Sequence, residues 1–199
     1  MVWINDDWEK QYLPALTEYQ INGFSWDPAS WKPSYRAFTP SGVQYNPPIP
    51  YQPGTIIHFG TGKDTGHYLG SGWSYPEKGG IWTDATRSTI ILPMKKPESD
   101  LILNLQFSPF LVKNTLDRQR LDIWVNGHHI TNYTISTPGS QTIAVEIEHT
   151  VLDENIQILT FELPDAGSPY ENGQSGDTRT LGIAVQSFSL TEKKEVTVQ

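Results

Sequence analysis

The clearest pattern in the chain is an alternation of apolar and polar positions over residues 100–110. Leu101, Leu103, Leu105 and Phe107 share one face of an extended segment. A repeat of two residues places successive side chains on opposite faces, which is typical of a β-strand with one face buried. The segment therefore predicts a strand packed on a hydrophobic core.

Shorter apolar runs of the same character continue along most of the chain. Turn residues separate them, and Asn126-Gly127 is the strongest short signal for a β-hairpin. No long helical pattern lies between the runs, which excludes a doubly wound α/β fold. We therefore predict an all-β, antiparallel two-sheet sandwich over residues 55–192. The runs that carry this prediction are residues 55–60, 88–94, 100–110, 119–130 and 180–192.

Residues 1–54 have a different character and predict an irregular, Pro- and Trp-rich N-terminal arm. Eight of the fifteen Pro and four of the seven Trp precede residue 54. Apolar side chains recur at helical spacing within residues 4–22, which predicts a short helix that Pro14 ends or kinks. The segment after it is too rich in Pro to form a central strand, so we expect an extended arm. Residues 193–199 are polar and predict a frayed tail.

Charge and composition exclude several classes of partner. The net charge is −8 and the fourteen basic residues are scattered. Nucleic-acid backbones and anionic membranes are bound by clustered Lys and Arg, so neither is expected as a partner. No apolar run approaches the roughly 20 residues needed to span a bilayer. The N-terminus lacks the features of a signal peptide. We expect a soluble chain, and no compartment is assigned.

The motifs of common catalytic and metal sites are absent. The chain contains no Cys, which excludes disulfides, thiolate metal sites and a Cys nucleophile. His128 and His129 are adjacent, so on a strand they point to opposite faces and do not predict zinc. Residues 63–66 and 175–178 are rich in oxygen ligands, which leaves a structural calcium ion open. No other cofactor is predicted.

Residues 66–84 carry the densest set of candidate binding residues. Aromatic rings offer flat apolar faces to sugar rings, and planar polar groups bind hydroxyls. The same residues also have a structural interpretation, in which Glu77 pairs with Arg179 and this segment is a folded corner of the sheet. Both interpretations stay open at this stage. The candidate ligand-binding residues are Trp73, Tyr75, Glu77, Trp82, Arg87 and Arg179.

Three segments together resemble a known family. They read YLGSGWSYPEKGGIWTDATRSTIILP (68–93), LDIWVNGHHI (121–130) and SPYENGQSGDTRTLGIAVQSFSL (168–190). In this order they resemble the β-sandwich accessory domain of bacterial polysaccharide-assembly proteins, over about residues 66–190. The family pattern has a Trp soon after Pro-Glu, where this chain has Lys78 and Gly79. The resemblance implies a jelly-roll or galactose-binding-like sandwich, a carbohydrate-binding role and a glycosyltransferase or other glycan-modifying enzyme as partner.

Three functions follow as hypotheses. The first is a non-catalytic module that binds or positions an oligosaccharide or polysaccharide in bacterial polysaccharide assembly or modification. The second is a small glycan hydrolase or esterase that uses Glu77 and Asp84 as its carboxylate pair. The third is a structural or assembly module of a phage or surface appendage, whose aromatic arm reaches a neighbouring subunit.

Overall fold

The structure is a computed structural model, and it describes residues 35–39, 42–46, 49–63 and 66–193. In the first two ranges it describes the backbone alone. The chain divides into two compact units, Met1–Ile49 and Pro50–Gln199. The short helix predicted within residues 4–22 lies outside the described residues.

The described part of the first unit is a β-hairpin. Strands β1 (Tyr35–Thr39) and β2 (Gly42–Asn46) pair in antiparallel register, with Tyr35 opposite Asn46. Neither strand contains proline. Pro40 lies between the two strands, and Pro33 and Pro47 lie on either side of the hairpin in the sequence. Pro is tolerated at the ends of a hairpin because no ladder hydrogen bond is needed there. The extended arm expected from the sequence therefore contains regular pairing.

The described residues of the second unit form ten strands in two sheets. Its helical elements, within the described residues, are two 3₁₀ turns at Gly66–Tyr68 and His149–Val151. Within the same residues we find no helix with the length and apolar character to cross a membrane. The strands are β3 (Ile57–His58), β4 (Trp73–Glu77), β5 (Gly80–Asp84), β6 (Arg87–Pro93), β7 (Leu101–Pro109), β8 (Gln119–Val125), β9 (His128–Ile135), β10 (Gln141–Ile147), β11 (Ile156–Glu162) and β12 (Leu181–Glu192).

The larger sheet is organised around β12, its longest strand. The order is β10-β7-β12-β5-β4, and β3 pairs with β12 beyond the end of β5. Every pairing is antiparallel. The smaller sheet has the order β6-β11-β8-β9, also antiparallel. The predicted all-β, antiparallel two-sheet sandwich is confirmed.

The core lies between the two sheets and follows the alternation in the sequence. Leu101, Leu103, Leu105 and Phe107 of β7 are all fully buried, as the alternation predicts. On the opposing sheet, β8 buries every second residue in the same way. Burying an apolar side chain contributes about 1.5–3 kcal/mol, so both rows stabilise the fold.

The second unit begins before the first predicted strand. Tyr51, which the sequence analysis assigns to the arm, is 3% exposed and packs against Phe188 and Tyr68. Its hydroxyl donates to the Thr55 carbonyl at 2.7 Å and accepts the Leu190 amide at 2.8 Å. Tyr51 thus closes the core where β3 and β12 meet. Lys193, the first residue of the predicted tail, still donates its amide to the Asp100 carbonyl at 2.8 Å.

Two glycines set how closely the β4–β5 corner approaches its neighbours. A Cβ at Gly72 would lie 2.1 Å from the Arg87 carbonyl oxygen, and one at Gly80 would lie 2.4 Å from the Val185 carbonyl oxygen. Both glycines have positive φ, +81° and +135°, which an L-residue rarely adopts. The glycines of this corner therefore serve its close packing against β6 and β12.

Candidate functional site

The β4–β5 hairpin separates the predicted site residues onto two faces of the larger sheet. Trp73 points to the core, whereas Glu77 and Trp82 occupy outward positions. A β-bulge shifts the register between Trp73 and Pro76. Bulges change the direction of the side chains that follow them. Here the bulge brings Tyr75 to the exposed side of the strand, where it is 64% exposed.

Arg179 is the centre of a charged network on this outer face. Its Nη1 donates to Ser74 Oγ at 2.7 Å and to Glu77 Oε1 at 2.8 Å. Its Nε donates to both carboxylate oxygens of Asp177, and Nη2 donates to Asp177 Oδ2 at 2.6 Å. The guanidinium carbon lies 4.8 Å from the centroid of the Tyr75 ring. The network therefore joins β4 to the segment that leads into β12.

Arg179 has little capacity left for a ligand. A guanidinium has five N–H groups. One from Nε, two from Nη1 and one from Nη2 are already donated within the protein. Hydrogen bonds from Arg179 hold the pKa of the Asp177 carboxyl below its ordinary value. Bonds to Asp177 and Glu77 raise the pKa of Arg179 in return. The ion pair of the structural interpretation is thus present, and Arg179 orients other residues.

Tyr75 is the residue that this network orients. The guanidinium stacks on its ring at cation–π distance, an interaction worth about 0.5–1 kcal/mol at an exposed site. Arg179 itself is held on three sides and its side chain is only 19% exposed. A flat aromatic ring is therefore favoured in one orientation on the protein surface. Glu77 lies beside it with a side chain that is 37% exposed.

Trp82 belongs to a second aromatic group, whose other member, Phe110, was not among the predicted site residues. Its ring meets Phe110 edge-to-face, with centroids 6.3 Å apart. Both side chains are half-buried, and Ala184 and Ser108 lie beside Trp82 in register. The alternation over residues 100–110 contains the missed signal, because Phe110 falls in the outward register of that strand. An aromatic residue in a mostly polar series is the pattern to look for.

Two of the six predicted residues lie elsewhere. Trp73 stacks on Phe59 with centroids 6.2 Å apart and meets Phe161 edge-to-face, and its Nε1 donates to the Thr89 carbonyl at 2.7 Å. Its indole is therefore partly buried and packs against the core. Arg87 begins β6 in the other sheet, with its Nε 3.9 Å from Glu162 Oε1. The geometry brings together the remaining four, namely Tyr75, Glu77, Trp82 and Arg179.

Of the carboxylates that could catalyse or bind calcium, Glu77, Asp84 and Asp177 already have partners within the protein. Asp84 Oδ1 accepts the Thr180 amide at 2.9 Å and so holds the start of β12. In residues 175–178, Asp177 is bound by Arg179. Of residues 63–66, positions 64 and 65 lie outside the described residues. Among the described residues, no three metal-ligating side chains come together.

Comparisons with known proteins return structural likenesses alone. No family model matches the chain, and no curated protein matches it. A CBM36 domain of a multidomain xylanase from the hindgut metagenome of Trinervitermes trinervoides is 9% identical with a TM-score of 0.43, covering 71% of this chain and 98% of the other. A CBM36 module in complex with calcium and xylotriose is 11% identical with a TM-score of 0.42, covering 69% and 99%. A family 35 carbohydrate-binding module from an environmental isolate is 16% identical with a TM-score of 0.36, covering 71% and 84%.

Proposed function

We propose that this protein is a non-catalytic carbohydrate-binding module whose site is the outer face of the β4–β5 corner. The observation that supports it most is the exposed ring of Tyr75, held in place by Arg179. Sugar rings carry a face of C–H groups that stacks on an aromatic ring. A ring fixed before the ligand arrives loses little conformational entropy on binding. The orientation of Tyr75 therefore favours a binding role.

The polar part of the site is Glu77. One of its oxygens accepts from Arg179, and the half-exposed carboxylate retains further acceptor capacity for sugar hydroxyls. Asp84, the second carboxylate of the hydrolase hypothesis, accepts the Thr180 amide and holds the start of β12. We therefore expect reversible binding without turnover.

The biological setting that we propose comes from the sequence motifs. Their resemblance to accessory domains of bacterial polysaccharide assembly suggests a partner glycosyltransferase or other glycan-modifying enzyme. A module of this kind raises the local concentration of glycan near the active site. The test is the rate of such an enzyme on polysaccharide, with and without the attached module. A rate that is unchanged at low polysaccharide concentration would exclude this role.

Binding itself is tested on an array of bacterial and plant oligosaccharides. The wild-type chain is compared with Tyr75→Ala and with Thr134→Ala, which alters an exposed position on β9 of the other sheet. We expect weak binding that Tyr75→Ala abolishes and Thr134→Ala retains. If Tyr75→Ala retains every binding signal, the binding site does not lie at this corner. Hydrolysis of an array glycan that disappears in Glu77→Gln would establish an enzyme instead.

A further inference from the structure

The aromatic corner continues into a row of polar side chains across the larger sheet. Gln186 Nε2 donates to Ser108 Oγ at 2.8 Å, and Ser140 Oγ donates to Gln186 Oε1 at 2.6 Å. Gln106 Nε2 donates to Ser140 Oγ at 3.3 Å, and Ser187 Oγ donates to Gln106 Oε1 at 3.2 Å. Amide and hydroxyl groups thus form a connected network on β7, β12 and the segment before β10. We call these five residues the amide ladder.

The amide ladder begins next to the aromatic pair. Ser108 is opposite Ala184 on β12, and Ala184 is opposite Trp82 on β5. The row Ser108–Ala184–Trp82 therefore runs perpendicular to the strands on the outer face. Ala184 is small and 7% exposed, so the surface is recessed here between larger side chains. Apolar and hydrogen-bonding groups are contiguous from β4 to β10.

A second bulge places Gln186 in this row. The register between β12 and β7 shifts between Val185 and Ser187. Val185 is fully buried. The next residue, Gln186, is the extra residue of the bulge, and its side chain lies on the outer face. The Gln186 carbonyl accepts the Phe59 amide at 2.8 Å. The bulge of β4 acts in the same way on Tyr75. The β4 end and the middle of the face thus each depend on a bulge that changes the direction of one side chain.

The extent and charge of this face define what it can bind. Neighbouring strands lie about 4.8 Å apart, so the face from β4 to β10 spans roughly 15–20 Å. That span exceeds a single sugar ring. The ladder is uncharged, and the one guanidinium of the face is already compensated by Asp177 and Glu77. A ligand carboxylate would find no uncompensated cation in this network, whereas hydroxyl groups find amides and hydroxyls.

We infer that the outer face from Tyr75 through Trp82 to the amide ladder binds an uncharged polysaccharide chain lying across the strands. This inference rests on the proposed function and extends it, because it assigns a chain direction, a minimum length and a charge class. Tyr75 and Trp82 supply stacking surfaces at one end. Gln186 and Gln106 supply planar amides at the other.

Calorimetric titration with matched neutral and acidic probes tests the inference. The neutral probes are gluco-, xylo-, manno- and galacto-oligosaccharides from disaccharide to hexasaccharide, and the acidic probes are oligogalacturonides of the same lengths. We expect at least one neutral series to bind with affinity that rises about tenfold or more from disaccharide to hexasaccharide. Oligogalacturonides are expected to bind more weakly than galacto-oligosaccharides of equal length.

Variants along the face give the second readout. Gln186→Ala should weaken hexasaccharide binding about three- to tenfold and leave disaccharide binding unchanged. Trp82→Ala should weaken both. Lys78→Ala, in the exposed turn after Glu77, should leave neutral binding unchanged. Near-ultraviolet circular dichroism of each variant establishes that the fold is retained.

Each outcome decides between the two proposals. Binding that Tyr75→Ala abolishes, but that is independent of length and of Gln186, would overturn the inference and leave the proposed function intact. Preference for oligogalacturonides, lost in Lys78→Ala, would likewise overturn it. If no neutral probe binds but the array yields an acidic glycan whose binding Tyr75→Ala abolishes, the inference is overturned and the proposed function stands. If neither the probes nor the array show binding, both proposals are overturned.

Discussion

Trp73 and Trp82 lie on the two strands of one hairpin and have opposite environments. Trp73 points inward, stacks on Phe59 and donates its indole N–H to the Thr89 carbonyl. Trp82 points outward and meets Phe110 at the surface. In the sequence the two residues are equally plausible ligand contacts. The difference teaches that an aromatic residue acquires its role from the face of the sheet on which its strand places it.

The environments also differ in what they contribute to stability. Trp73 is partly buried against the core and its indole N–H is satisfied, so both its packing and its hydrogen bond contribute to stability. Trp82 keeps part of its ring in solvent, so its removal leaves no closed cavity. The inner residue should therefore affect folding, and the outer residue should affect binding.

Replacement of Trp73 has the largest expected effect. Trp73→Ala removes a ring that contacts Phe59 and Phe161 and leaves the Thr89 carbonyl with the Gly70 amide as its remaining donor. Large-to-small substitutions of buried aromatic residues cost about 3–5 kcal/mol. Because Trp73 is partly buried, we expect a loss at the lower end of this range, about 3 kcal/mol, in the free energy of unfolding, measured by urea denaturation. Trp73→Phe, which keeps an aromatic ring, should recover part of it. A loss below about 1 kcal/mol would place Trp73 with Trp82 on the surface.

Gly79 and Gly80, adjacent in the β4–β5 turn, should respond differently to substitution. A Cβ at Gly80 would lie 2.4 Å from the Val185 carbonyl oxygen at a φ of +135°, whereas a Cβ at Gly79 would meet nothing within 4 Å. Strained backbone costs about 1–3 kcal/mol before the clash is added. We expect Gly80→Ala to lower the free energy of unfolding by about 3 kcal/mol, and Gly79→Ala to leave it nearly unchanged. Equal effects in thermal melts of the two variants would contradict the close contact between β5 and β12.

The inner face also predicts a loss of stability at alkaline pH. Burial raises the pKa of Tyr51 to about 12, so the folded protein keeps the phenol neutral where the unfolded chain ionises near pH 10. This contribution is complete below about pH 10 and is lost as pH rises through about 12, at most about 2–3 kcal/mol. Urea denaturation across this range measures it.

Tyr51→Phe is the matched control for the alkaline loss. It removes the titrating group and should flatten the decline of stability with pH. Burial also raises the pKa of Tyr68, so part of the slope should remain. A slope identical to that of the wild-type chain would mean that Tyr51 is accessible in the folded state.

The outer residues should give the smallest effects on stability. Tyr75 is 64% exposed and its main contact is the Arg179 guanidinium. Tyr75→Ala should therefore change the free energy of unfolding by less than about 1 kcal/mol, the strength of an exposed cation–π contact. The same urea denaturation applies, and binding should be lost at the same time. A large loss of stability here would make the Tyr75–Arg179 stack a structural element.

Much of the fold could be predicted because its strands alternate regularly. The buried row of β7 and the hairpin at Asn126-Gly127 both follow from local pattern and turn chemistry, and both are present. The β1–β2 hairpin was less accessible to prediction, because its proline-rich flanks obscure two short strands. Tyr51 carries no periodic signal at all, since a single core residue in a loop is defined only by what it packs against.

The site was only partly predictable for a different reason. The composition of residues 66–84 indicates an aromatic, glycine-rich corner. The sequence by itself determined that a sheet would turn there and that Trp, Tyr and Glu side chains would lie at the turn. Which of them face solvent depends on the bulge in β4, and the position of Gln186 depends on the bulge in β12. A bulge inverts the alternation from which faces are inferred. Only the tertiary structure decided that Trp73 packs against the core and that Phe110 contacts Trp82. The same is true of Arg179, which lies 102 positions from Glu77 and orients the exposed ring of Tyr75. These contacts join segments that are distant in sequence, so no local pattern encodes them.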